Sequence, residues 1–233
     1  MDQLRMIQQS FRCLKIRDWS SDWTDIFTSD TQVVHSIAVP VGATIFEQAR
    51  RAHCGILSLP EALGQIARSR QQVCIAGTHG KTTTSGLVSW ILRHSNREAF
   101  HFVGGEFCQP SALSPLQSTP SAQADWAVLE SCEYRNSFLS LHPNVVIITG
   151  IEPDHFDFFE SSDDLSRSFA SFMNRCHFAG TIIVNADCPT SLALASQSGR
   201  SIVTYSVTSC TMDWCAKPAA TTWPTESCSR SGQ

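Results

Sequence analysis

The residue types best suited to chemistry lie in one glycine-rich run: Gly77, Thr78, His79, Gly80, Lys81, Thr82, Thr83 and Thr84. The run follows a strand-like segment, QVCIA, and opens a helical pattern, which is the context that a phosphate-binding loop requires. Glycines let the backbone approach phosphate oxygens, and a helix N-terminus presents free N–H groups to the anion. Lys81 can reach the β- and γ-phosphates, and Thr82 can place its hydroxyl on Mg²⁺. The alternative is a glycine turn with a chance Lys-Thr, which the strand and helix on either side disfavour.

Two carboxylates lie at the end of a second strand-like run, WAVLE at 126–130. Glu130 ends this run and Glu133 comes three residues later. In open α/β sheets, ligands bind at the carboxyl ends of the strands. A glutamate there can bind Mg²⁺ directly or through water, whereas either one taken alone is equally compatible with a solvated loop.

A third polar run follows the apolar segment NVVII and contains Glu152, Asp154, His155 and Asp157. A neutral imidazole beside acids at a strand end can ligate a metal. By itself this string is more typical of a surface turn. Its position after a phosphate-binding loop and a strand-end glutamate instead favours a metal site that includes His155.

The elements that must position these residues alternate between strand and helix patterns. Strands are predicted at 32–39, 72–77, 126–130, 144–151, 180–187 and 200–206, and helices at 43–53, 59–70, 81–94 and 163–176. This alternation predicts βαβ units, and therefore an α/β fold with a mostly parallel sheet and helices on both faces. In the helix at 81–94 we expect Leu87, Val88, Ile91 and Leu92 to form the buried side.

Composition excludes several classes of protein. The 233 residues carry a net charge of −4, with 42% hydrophobic and 16% charged residues, which is typical of a globular protein with a core. A mildly acidic chain has no electrostatic footprint for nucleic acid. No apolar run is long enough for a transmembrane helix, and the N-terminus does not resemble a signal peptide. The ten cysteines include no C-x-x-C pair, so we expect reduced thiols and a cytoplasmic location.

Two segments lack a periodic pattern. Residues 108–125 contain three prolines and four serines and are predicted to form a loop. Residues 207–233 contain no Leu, Ile or Phe, so we expect either an unstructured tail or an aberrant end of the reading frame.

Taken in order, the three polar motifs resemble the ATP-binding central domain of the Mur ligases, from about Val33 to about Ser206. The resemblance is strongest to the members that join L-alanine to UDP-N-acetylmuramate, and to the murein peptide ligases. It implies a P-loop NTPase-like central domain at 71–206, a truncated Rossmann-like segment for the UDP-sugar at 1–70, and the tail at 207–233.

The resemblance also implies roles for individual residues. Gly77 to Thr83 would hold the phosphates of ATP, with Lys81 as a catalytic residue. Thr82, Glu133 and His155 would hold Mg²⁺, and Glu133 and His155 would be catalytic. Ser36, in the stretch VVHSIAV, matches a serine near the UDP-sugar.

The implied activity is ATP-dependent amide formation in peptidoglycan precursor synthesis, through an acyl phosphate. Measured against the resemblance, we expect departures at several points: loss of the glycine-rich opening of the first domain, loss of the third domain, and Cys132 and Arg135 in place of acids. We therefore expect an incomplete form, and the alternatives are a nucleotide-binding fragment without ligase activity, a murein peptide ligase and an unrelated P-loop NTPase.

Overall fold

The structure is a computed structural model and describes residues 18–104, 124–153, 158–208 and 212–215. Its strands are β1 (Gln32–His35), β2 (Gly55–Ser58), β3 (Gln71–Ala76), β4 (Ala99–Phe102), β5 (Trp126–Glu130), β6 (Val145–Ile148), β7 (Thr181–Asn185), β8 (Ser201–Ser206) and β9 (Trp214–Cys215). Its α-helices are α1 (Thr44–Arg51), α2 (Leu59–Ala67), α3 (Lys81–His94), α4 (Ser162–Asn174) and α5 (Pro189–Gln197). A 3₁₀ segment spans Tyr134–Ser140.

Seven strands form one parallel sheet in the order β4-β5-β3-β6-β7-β8-β9. β3 lies between β5 and β6, with Val73 opposite both Val128 and Val145. Five of its six residues are buried, as expected for a strand covered on both faces. The carboxyl ends of β3, β5 and β6 are therefore adjacent, and the three polar motifs follow these three ends.

Helices cover both faces of the sheet, which confirms the predicted fold class. One face packs against α2, α4, α5 and the 3₁₀ segment, whereas the other packs against α3. On the first face, the ring of Phe138 stacks on Phe172 at 4.3 Å between centroids and meets Phe169 edge-on at 5.3 Å. The Ser161 side chain accepts a hydrogen bond from the Asp164 N–H and so caps the N-terminus of α4.

The buried side of α3 is only partly the predicted one, since Val88 and Leu92 are partly buried and pack against the core as expected, whereas Leu87 and Ile91 do not. The buried residues are the small ones, Ser85, Gly86 and Ser89. Leu87 and Ile91 are 58% and 55% exposed, so the prediction that they face the core is wrong. Small side chains let α3 pack closely on the sheet, whereas helical periodicity in the sequence shows only where apolar residues cluster.

The N-terminal part is a βαβ unit. β1 and β2 pair in parallel around α1, and Ala43, Ile45 and Phe46 form a small separate core. β1 ends at His35 rather than continuing to residue 39, because the chain turns there: the Val39 N–H donates to the Ser36 carbonyl at 3.1 Å. The division into domains at residue 70 stays a prediction.

The segment at 207–233 contains an element that its composition did not predict. Trp214 and Cys215 form β9, which extends the sheet beside β8. The Asp213 carboxylate accepts hydrogen bonds from the N–H and hydroxyl of Thr204, at 2.7 and 2.9 Å. Backbone pairing with this anchor needs no Leu, Ile or Phe, which corrects the expectation of an unstructured tail at these positions. Residues 209–211 and 216–233 lie outside the described residues.

Most of the predicted loop at 108–125 also lies outside the described residues, which resume at Ala124. Within the described residues, no helix is both long enough and apolar enough to cross a membrane.

Candidate nucleotide-binding site

The glycine-rich loop (residues 77–83) follows β3 and includes the first residues of α3. It requires glycine at two positions. Gly77 has a φ of 138°, and a Cβ there would lie 2.2 Å from the Thr149 hydroxyl oxygen. Gly80 is the N-cap of α3 in the left-handed region, with a φ of 79°. A side chain at either residue would be strained. The loop therefore brings the backbone into a tight turn directly before a helix of 14 residues, whose N-terminus favours an anion.

The other loop residues leave this turn open to solvent. His79, Gly80, Thr82 and Thr83 are exposed, whereas Thr78 and Lys81 are half-buried. A ligand could therefore reach the N-terminus of α3 without displacing any core residue.

Lys81 is held at the centre of the loop by four oxygen atoms. Its ammonium group donates to the carbonyls of Gly77 and Thr78, at 2.5 and 3.2 Å. It also contacts both carboxylate oxygens of Glu133 at 3.1 Å. The Glu133 side chain is 1% exposed and the Lys81 side chain 15%, so this is a buried ion pair. The structure thus places the predicted residues Lys81 and Glu133 in direct contact.

A second carboxylate contacts the start of α3. The hydroxyl of Thr82 donates to Glu130 Oε1 at 2.9 Å, and the Gly104 N–H donates to Glu130 Oε2 at 2.6 Å. The partner of Thr82 is therefore Glu130 rather than Glu133. In the sequence, Glu130 stands out only as one of two carboxylates at the end of β5. Its contact with Thr82 depends on β5 lying beside β3, which the sequence order of the strands does not indicate.

The segment after β6 supports the loop from the other side. The Thr149 hydroxyl donates to the His79 carbonyl at 2.5 Å, and the Thr78 N–H donates to the Gly150 carbonyl at 2.9 Å. Thr78 also exchanges hydrogen bonds with the backbone of Glu152, at 2.9 and 3.0 Å. Thr149 is a loop-shaping residue to which the sequence analysis assigned no role. A hydroxyl residue at the end of a strand is too common in protein sequences to identify Thr149 as a loop-shaping residue from the sequence alone.

His155 lies outside the described residues, as do Asp154 and Asp157. Its place in a metal site therefore stays a prediction. Among the residues that the structure describes, no group of three or more His, Cys, Asp or Glu side chains is arranged to hold a metal ion. The Thr82 hydroxyl and the carboxylates of Glu130 and Glu133 are among the side-chain oxygens that lie at the loop.

Ser36 lies in the turn that follows β1, where its hydroxyl accepts from the Ala38 N–H at 3.2 Å. The adjoining residue, Ile37, accepts a hydrogen bond through its carbonyl from Arg135 Nη1 at 2.8 Å. The turn that contains Ser36 is thus linked to the segment that carries Glu133, two residues before Arg135.

Comparison with known proteins agrees with this architecture. Residues 75–227 match the Mur ligase middle domain family, and the chain belongs to this family. The match includes the glycine-rich loop and both glutamates, and it continues through most of the segment that the composition had set apart as a tail.

Curated relatives include the UDP-N-acetylmuramate–L-alanine ligases of Aquifex aeolicus and Lachnospira eligens. The first is 30% identical over 177 residues, which make up 76% of this chain and 38% of the relative. The second is 38% identical over 157 residues, 66% of this chain and 33% of the relative. The chain thus spans about a third of the length of these relatives.

Solved structures with the same fold include two ligases. A UDP-N-acetylmuramate:L-alanyl-γ-D-glutamyl-meso-diaminopimelate ligase from Neisseria meningitides aligns with a TM-score of 0.65 and 20% identity, over 77% of this chain and 61% of that one. The UDP-N-acetylmuramate-alanine ligase from Thermotoga maritima aligns with a TM-score of 0.62 and 20% identity, over 80% of this chain and 41% of that one.

Proposed function

We propose that residues 77–83 bind the triphosphate of ATP, and that the protein acts in peptidoglycan precursor synthesis as an ATP-dependent ligase that joins L-alanine to UDP-N-acetylmuramate. The observation that carries the proposal is the position of Lys81, whose ammonium group lies inside a glycine turn at the N-terminus of α3. A cation and free helix N–H groups at one point are suited to a phosphate chain.

ATP binding on this proposal requires an exchange of partners at Lys81. The ammonium group leaves Glu133 at least in part and donates to oxygens of the β- and γ-phosphates. The carbonyls of Gly77 and Thr78 continue to accept hydrogen bonds from the ammonium group while this happens. The exchange replaces one anion by another, so Lys81 is never left without a negatively charged partner.

The residues present are suited to Mg²⁺, which prefers oxygen ligands. Thr82, Glu130 and Glu133 supply a hydroxyl and two carboxylates at adjacent strand ends, and His155 follows the third strand end in the sequence. When bound, the ion would neutralise charge on the β- and γ-phosphates.

The proposed reaction has two steps. The γ-phosphorus forms a bond to an oxygen of the substrate carboxylate and its bond to the β–γ bridging oxygen breaks, so ADP leaves and an acyl phosphate remains. The amine of the amino acid then attacks the acyl carbon, the bond from this carbon to the phosphate oxygen breaks so that inorganic phosphate leaves, and the nitrogen releases a proton to water. The contribution of the glycine-rich loop is to orient the γ-phosphate and to stabilise its charge.

Since the chain spans only part of its relatives, the test separates binding from ligation. The purified chain is incubated with ATP, Mg²⁺, UDP-N-acetylmuramate and L-alanine, and both phosphate and UDP-N-acetylmuramoyl-alanine are measured. Product that requires all four components and is lost in Lys81→Ala supports the ligase. If calorimetry shows that the chain binds ATP but no UDP-N-acetylmuramoyl-alanine forms, the result supports the alternative, a nucleotide-binding unit. Phosphate release without UDP-N-acetylmuramate and L-alanine would contradict the ligase and favour an unrelated NTPase.

A further inference from the structure

The turn that follows Glu133 has an unusual backbone. Arg135 and Asn136 are consecutive residues in the left-handed region, with φ of 51° and 58°. Residues with a Cβ rarely adopt this conformation, and two in succession persist only where the surroundings hold them. The turn begins at a residue that contacts Lys81, so its shape affects the candidate site directly.

Side chains from two directions hold the turn. Arg135 Nη1 donates to the Ile37 carbonyl at 2.8 Å, which ties the turn to the loop after β1. The Ser168 hydroxyl donates to Asn136 Oδ1 at 2.5 Å, which ties it to α4. The Arg135 guanidinium also lies over the ring of Tyr134, at 5.4 Å from its centroid.

The residue type at position 135 matters for this contact. The contact needs a hydrogen-bond donor at position 135, and the Arg135 guanidinium supplies it. A carboxylate cannot donate a hydrogen bond to a carbonyl and would be repelled by it. The link between the β1 loop and the turn therefore depends on the donor at position 135.

We propose that Arg135 is a positioning residue, which transmits the position of the β1 loop to Glu133 and through it to Lys81. This inference rests on the proposed function, since it assigns to Glu133 a role in the binding of Mg²⁺ and ATP. Arg135 does not touch the nucleotide on this account. Its hydrogen bond to Ile37 keeps the turn in the left-handed conformation, and the turn holds the buried Glu133 carboxylate against Lys81.

The first test compares ATP affinity with and without Mg²⁺ by calorimetry, in the wild type and in Arg135→Ala, Arg135→Lys and Arg51→Ala. Arg51 is the matched control, because it is an exposed arginine of the N-terminal part that pairs with Glu47 on the same helix. We expect Arg135→Ala to lower the Mg²⁺-dependent gain in affinity at least threefold. Arg135→Lys, which keeps a donor, should restore most of the gain, and Arg51→Ala should leave it unchanged.

Amide hydrogen exchange tests, without any ligand, whether Arg135 holds the turn. The Asn136 and Phe138 amides donate within the turn, to the carbonyls of Glu133 and Cys132 at 2.9 Å each. Their hydrogen exchange should accelerate at least tenfold in Arg135→Ala, and it should stay at the wild-type rate in Arg51→Ala.

The outcomes separate the two proposals. If the wild type binds no ATP, the proposed function fails, and the exchange rates still decide whether Arg135 holds the turn. If the wild type binds ATP with a Mg²⁺-dependent gain that Arg135→Ala leaves intact, or if exchange in the turn is unchanged, the positioning role is overturned.

Discussion

The buried ion pair between Lys81 and Glu133 should couple the effects of substitutions at the two residues on stability, before any nucleotide binds. Replacing either residue singly, as Lys81→Met or Glu133→Gln, leaves the partner charge in a site where the Glu133 side chain is only 1% exposed. We therefore expect each single change to destabilise the fold, and the double change to cost less than the sum of the two.

The magnitude follows from the distance between the charges. At 3.1 Å and an effective dielectric constant of about 20, the attraction is about 5 kcal/mol. The cost of removing both groups from water offsets much of this, so the net value of the pair is small. Removal of one partner of a buried pair typically costs about 3–5 kcal/mol, and the coupling between the two changes should be about 1–3 kcal/mol.

The assay is urea unfolding of the four proteins of this double-mutant cycle without nucleotide. The pair formed by Glu47 and Arg51 is the control, since its charges are 3.8 Å apart and 68% and 78% exposed. Its coupling should be at most about 0.5 kcal/mol. Additive costs at Lys81 and Glu133, with coupling no larger than in the control, would refute the buried pair.

Three further predictions test the surroundings of the loop. Gly77→Ala should lower the free energy of unfolding by about 3 kcal/mol and weaken ATP binding. Gly150→Ala is the control, because no atom lies within 4 Å of the added carbon, and it should leave the free energy of unfolding in urea nearly unchanged. Thr149→Val removes the donor to the His79 carbonyl and should cost about 1 kcal/mol in the same assay. Burial lowers the pKa of His101 from 6.5 to about 4, so the unfolded chain takes up the proton first. Stability should therefore fall as the pH drops through this window, by up to about 3 kcal/mol; a His101→Phe variant with the same pH slope would contradict this.

The sequence predicts the α/β fold well because the buried strands have a simple pattern. Runs such as QVCIA and NVVII are apolar at nearly every residue, as a parallel sheet with two covered faces requires. Short strands such as Ala99–Phe102 and Trp214–Cys215 were missed because backbone pairing stabilises them more than their own composition does. Two of the four residues predicted on the buried side of α3, Leu87 and Ile91, are instead exposed, because small residues, Ser85 and Ser89, occupy part of that side.

The candidate site was predictable to the level of the segments that form it. The glycine-rich loop, Lys81 and the glutamates follow strand ends that the structure brings together. The individual pairs were not predictable: Thr82 meets Glu130, and Glu133 meets Lys81. These pairs depend on strand order and on the left-handed turn at Arg135, which no local pattern indicates.

The most direct test of the account is the affinity of the chain for ATP in the presence of Mg²⁺, measured by calorimetry for the wild type, Lys81→Ala and Arg93→Ala. Arg93 lies in the last turn of α3, at the opposite end from the glycine-rich loop, and is the control for loss of one positive charge. A charge-assisted contact to phosphate contributes about 1.5–3 kcal/mol, so Lys81→Ala should weaken binding by roughly tenfold or more, and Arg93→Ala should not. Equal affinities in the wild type and Lys81→Ala would contradict the claim that this loop binds the phosphates of ATP.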